Sequence, residues 1–165
     1  MSRFEEAISV DVPVHVAYDR WTRFEDFPSF MEGVERVEQL DDRTLRWTAT
    51  IAGMSRTWTA VIVDQTPDTR IAWKSIDGAD NAGAVLFEAL GPDRTKVILR
   101  MDIEPDGLVE SAGDALGFVQ RRVKGDLERY RDLVERTGPG VQGWRGEIHG
   151  DDVQPDPSEA TTAAR

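Results

Sequence analysis

The chain contains no cysteine and only two histidines, and its basic residues are outnumbered by acidic ones. Each shortage removes a class of function. Without cysteine there is no disulfide scaffold, no thiol nucleophile, and no zinc-finger or iron–sulfur ligand set. His15 falls early in a candidate helix and His149 in the C-terminal tail, so neither a His-based triad nor a metal site can be read. No run approaches the roughly 18 apolar residues that a membrane span requires. The N-terminus carries Glu5 and Glu6 where a secretory signal would be basic and then apolar. The GxSxG, HExxH, P-loop and GxGxxG patterns are absent in any suitable setting. Twenty Lys and Arg against 31 Asp and Glu leave a net charge of -11. Such a surface repels phosphate backbones and anionic lipid, which rules against nucleic acid as a partner. The expectation is a cytoplasmic protein without metal or cofactor, whose partner is neutral, apolar or cationic.

What the sequence does have is patterning. At 165 residues, with 39% hydrophobic and 31% charged, it suits one globular domain with little left over. Phe4 to Val12 alternates apolar and polar as a half-buried strand does. Pro13 fits a helix start, and Val14, Ala17, Tyr18 and Trp21 follow at helical spacing. Phe24, Phe27, Pro28, Phe30 and Met31 predict a second short helix interrupted near Pro28. From Val34 to about Glu104 the period becomes two. Turn signals at Asp41-Asp42, Gly53, Pro67-Asp68, Asp77-Gly78 and Gly91-Pro92-Asp93 divide this stretch into six strands. Short turns make the meander antiparallel. A long helix should follow, capped by Asp106 before Gly107, with Leu108, Ala112, Ala115, Val119, Val123, Leu127, Tyr130 and Val134 on one stripe. It should end at Thr137-Gly138-Pro139-Gly140.

The fold expected from this order is α+β. A curved seven-stranded antiparallel sheet grips a long C-terminal helix, with two short helices after the first strand. The grip occupies residues 1–137. Residues 138–165, rich in Gly, Pro and acid, are expected to be a flexible tail, disordered from about Gly150. A bent sheet and a single covering helix meet poorly near the middle, where a cavity for a ligand is expected.

Val12-Pro13 leading to Ala17-Tyr18 and Trp21, then Phe27-Pro28-Ser29-Phe30-Met31 with Val34 and Val37, resembles the START/Bet v-like (SRPBCC) superfamily. Within it the resemblance is to the polyketide cyclase/dehydrase and coenzyme-Q-binding-like branch. Trp58, Pro67, Ile71-Ala72-Trp73-Lys74-Ser75, Asn81-Ala82-Gly83 and Leu127 carry the same likeness, over roughly residues 2–137. The resemblance implies a helix-grip fold and an internal cavity for lipids, sterols, quinones, hormones or polyketide intermediates. Some members are enzymes.

The candidate site follows from which residues face that cavity. Trp47, Trp58 and Trp73 lie on the apolar side of adjacent strands, where they fill the core, stack on a flat ligand, or do both. Val85 and Phe87 share that side. Ser75 and Asn81 are polar candidates within it. Arg56, at a hairpin start and of the same parity as Trp58, faces either solvent or the mouth; turned inward, it would meet an enolate or carboxylate. Phe27, Met31 and Leu116 are expected around a portal. Three functions remain open: binding of a hydrophobic or polycyclic small molecule, a polyketide cyclase/dehydratase using polar cavity residues, and a protein-interaction module.

Overall fold

Period-two alternation becomes a sheet because every second side chain points to one face, and here one face is apolar. The computed structural model describes residues 2–51, 53–78, 80–103 and 112–157. The expected Asp106–Gly107 cap, the Leu116 side chain and the tail beyond Pro157 lie outside the described residues. The strands are β1 (Ser2–Val10), β2 (Val34–Gln39), β3 (Thr44–Ile51), β4 (Met54–Thr66), β5 (Arg70–Asp77), β6 (Asn81–Gly91) and β7 (Arg94–Ile103). They are ordered β1-β7-β6-β5-β4-β3-β2, each neighbour antiparallel. Between β1 and β2 come helix α1 (Val14–Trp21) and a 3-10 helix (Phe24–Ser29) that contains Pro28. Helix α2 (Ala112–Thr137) has 26 residues, a length of about 39 Å.

The helix stripe meets the sheet as its spacing requires. Val123, Leu127, Tyr130 and Val134 join Leu45, Ile62, Ile71, Val85, Val97 and Leu99 in one buried core. Trp21 is the hinge of the aromatic part, edge-on to Phe27 at 5.6 Å and to Tyr130 at 4.9 Å. Two buried hydroxyls in this core find backbone acceptors, sparing the cost of about 1–3 kcal/mol for an unpaired group. The Tyr130 hydroxyl donates to the Ala17 carbonyl at 2.6 Å, and the Thr95 hydroxyl to the Val12 carbonyl at 2.9 Å. No helix among the described residues is long and apolar enough to cross a membrane.

The sheet exceeds the seven strands expected. Residues 138–157 do not trail away. They form β8 (Glu147–His149) and β9 (Asp152–Gln154), a hairpin that pairs with β4 through Asp64–His149 and Gln65–Ile148. The reason lies in a length mismatch. Pairing between β3 and β4 stops at Thr44–Val61, yet β4 runs on to Thr66, which leaves a free edge. Scattered apolar residues cannot build a core of their own, but they can complete this one: Ile148 is fully buried, and Trp144 and Val153 pack against the core. Arg145 pairs with Asp19 of α1 and, at 2.7 Å, with Asp68 of the β4–β5 turn. The strap is thus part of the fold, against the expectation of a flexible tail.

Candidate functional site

Between the sheet and the N-terminal half of α2 the packing is incomplete. An apolar pocket of about 170 Å³ remains, floored by β3 to β7 and roofed by Phe118, Val119, Val123 and Leu127. Its side wall comes from the aromatic knot of Phe24, Phe27, Phe30 and Met31. Trp47 and Trp58 are cross-strand partners whose rings stack at 5.8 Å with an interplanar angle of 7°. Phe27 lies 5.5 Å from Trp47 and extends that aromatic surface. Trp73 donates its indole N–H to the Asn81 side-chain oxygen at 3.2 Å. Its ring lies flat on β6 because residue 83 is glycine: a Cβ there would sit 2.7 Å from the ring and 2.5 Å from the Arg100 carbonyl.

Of the residues singled out from the sequence, Trp47, Trp58, Trp73, Asn81, Phe27 and Met31 converge on this wall. Ser75 stands behind it, its hydroxyl oxygen accepting the Asn81 backbone N–H at 3.0 Å. Val85 and Phe87 lie in the solid core, where Phe87 meets Tyr18 and Trp21 edge-on. Arg56 is half-buried, opposite Ala49 in the register, and is not among the residues that line the pocket. One of its guanidinium nitrogens is 3.7 Å from the Met54 sulfur, and its buried Nε has no hydrogen-bond partner among the described residues.

Sequence reasoning missed the polar part of the wall: Glu32, Arg122 and Asp126. The available signal was Asp126 itself, one residue before Leu127 and flanked at helical spacing by Arg122 and Arg129. These groups engage one another. The Glu32 backbone N–H donates to Asp126 Oδ1 at 2.9 Å, Arg122 donates to the Glu32 carbonyl at 2.6 Å, and Arg129 pairs with Asp126. Burial raises the Asp126 carboxyl from 3.8 to about 6, against the pull of Arg129, the Glu32 N–H and Arg122. Desolvation of the charged form outweighs the hydrogen bonds made to it.

A pH dependence follows. With its folded value above its unfolded one, Asp126 favours the native state fully only below the ordinary carboxylate range. That contribution fades as pH rises through about 6, and amounts to at most about 3 kcal/mol. Asp126→Asn keeps an acceptor but cannot titrate. Its melting temperature relative to the parent should therefore rise between about pH 4 and pH 7. A constant difference across that range would show that Asp126 titrates normally. Among the described residues no group of three or more His, Asp and Glu side chains is arranged to hold a metal ion.

Comparison with known proteins agrees with this architecture. An uncharacterized 17.2 kDa protein of Streptomyces lincolnensis is 49% identical over 149 residues, covering 90% of this chain and 99% of that one. The aromatase/cyclase ZhuI from Streptomyces sp. R1128 superposes with a TM-score of 0.72 at 21% identity, covering 86% of this chain and 98% of that one. A START superfamily protein from Mycobacterium smegmatis superposes with a TM-score of 0.62 at 17% identity, covering 77% and 97%. At those identities the two structures speak for the fold. The family model described as polyketide cyclase/dehydrase and lipid transport matches residues 10–129, and the chain belongs to that family.

Proposed function

We propose that the chain binds a neutral, flat, apolar small molecule, lipid-, quinone- or polyketide-like, in the pocket between the sheet and α2. The observation that carries this reading is the character of the wall. It is aromatic and aliphatic almost throughout, with a stacked indole pair, and Glu32, Arg122 and Asp126 are tied to partners within the protein. A ligand bringing its own charge would find few groups to answer it. Desolvation supplies the affinity, at about 25 cal/mol per Å² of buried apolar surface. A space of about 170 Å³ is comparable to a dry cavity that holds benzene, so it suits a body of one or two rings without movement of the wall.

One observation favours a second reading, a cyclase/dehydratase. The unpartnered Arg56 Nε beside Trp58 is suited to an enolate developing on a bound poly-β-ketone. Turnover of such a chain lost in Arg56→Ala, with binding retained, would favour it.

The direct experiment is native mass spectrometry of the purified protein with extraction of whatever small molecule it retains, followed by titration with the neutral naphthalene dye prodan. Trp73→Ala, on the wall, should weaken prodan binding by about tenfold, the scale of one lost aromatic contact. Arg46→Ala, exposed on the opposite face of β3, should leave it within about twofold. Equal binding by both variants would overturn the assignment of the pocket.

A further inference from the structure

Among the described residues of the pocket wall, only Phe30, Met31, Glu32 and Gly33 belong to neither a helix nor a strand. The rest of the wall is held by helix and sheet backbone bonds, whereas here the local backbone bonds are turn contacts: the Phe30 and Met31 N–H groups donate to the Phe27 carbonyl at 3.1 and 2.8 Å, and the Val34 N–H to the Met31 carbonyl at 3.2 Å. This segment is held differently on its two sides. Toward the sheet, the Thr50 N–H donates to the Gly33 carbonyl at 2.7 Å. Toward α2, the ties are made by side chains: Arg129 Nε to the Phe30 carbonyl at 2.8 Å, Arg122 to the Glu32 carbonyl, and the Glu32 N–H to Asp126. Arg129 reaches both Asp126 and, at 3.7 Å, the Glu32 carboxylate. Arg122 also lies over the Phe118 ring, 5.0 Å from its centroid. Gly33 permits this closeness. It has φ +87°, and a Cβ there would fall 2.0 Å from the Arg122 guanidinium.

We infer that the Met31–Gly33 turn, anchored at one end by the buried Phe30 ring against Trp21, Phe27 and Tyr130, is the movable wall through which ligand enters, and that Arg122, Asp126 and Arg129 are its latch on α2. Charge-assisted hydrogen bonds at a partly exposed site are strong enough to hold a segment and weak enough to break singly, unlike a buried ladder. Met31, unbranched and flexible, is the wall residue best able to adapt as the segment swings. The inference rests on the proposed ligand pocket, and the entrance is a property of that pocket.

The test compares three proteins. Arg129→Met removes the central latch group, which is not itself on the pocket wall, and keeps the apolar stem. Prodan association and dissociation should both accelerate, roughly fivefold to tenfold, the effect of losing a charge-assisted hydrogen-bond pair, with affinity within about twofold. Hydrogen exchange at the Glu32 amide should accelerate alike, while the core amides of β6 do not change. The pair Glu32→Cys with Asp126→Cys, in a chain with no other cysteine, places two thiols across the latch. Its oxidised form should exchange prodan about tenfold more slowly than its reduced form. Oxidation without effect on prodan exchange, or unchanged Glu32 exchange in Arg129→Met, would overturn the inference. A parent protein that binds no prodan and retains no small molecule, while its Glu32 amide still opens on loss of Arg129, would overturn the pocket reading and the entrance role with it.

Discussion

A chain ending at Thr137 is expected to melt about 10–20 °C below the full-length protein. The strap supplies a fully buried Ile148, the packing of Trp144 and Val153, and the Arg145 bridge between Asp19 and Asp68. The Arg145 guanidinium also lies 5.4 Å from the centre of the Tyr18 ring, and its backbone N–H donates to Asp156 at 2.9 Å. Burying one isoleucine contributes about 2–3 kcal/mol. Leaving Asp19 and Asp68 without their cation, and opening the β4 edge, adds a similar amount. The sum, about 4–6 kcal/mol, converts to that shift for a domain of this size. Ile148→Asp in the intact chain should reproduce much of it. Calorimetric midpoints of the truncated and full-length chains that agree within about 2 °C would show that the hairpin only rests on the domain.

The second large effect concerns the pocket, and separates ligand binding from stability. Ala60 lies on the pocket wall, 1% exposed, between Leu45 and Ser75 in the register. In Ala60→Phe a phenyl ring would take the place of ligand beside the stacked Trp47 and Trp58. Prodan affinity should fall about a hundredfold or more, because the added ring and the dye cannot share the space. The melting temperature should move by no more than about 5 °C, since overpacking at about 1–3 kcal/mol is offset where space already exists. Undiminished binding in this variant would mean that the dye sits elsewhere.

These two effects fall on opposite sides of what sequence reasoning can reach. The pocket floor was legible because side chains alternate along a strand: Trp47, Trp58 and Trp73 each fall on the apolar side of their own strand, and the structure places them on one wall. Val85 and Phe87 also fall on the apolar side of their strand yet lie in solid core, because periodicity gives the face and not the position along it. The polar latch was not legible. Asp126 sits beside the apolar stripe of α2, and only the approach of the Glu32 backbone from another element makes it part of the wall. The strap was illegible for a related reason. Ile148 and Trp144 are isolated in a polar sequence, and their partners are a strand edge that exists only because β4 outruns β3. Local patterns report what a segment can bury alone, not what a neighbour leaves open.

The parallel indoles of Trp47 and Trp58 have a practical consequence. Two chromophores held face to face couple their electronic transitions, so the pair carries its own optical signature in circular dichroism and emission. A molecule settling against them perturbs that coupling directly. Occupancy can therefore be followed in the purified, unlabelled protein, and any small-molecule extract that changes the signal is a lead to the proposed ligand.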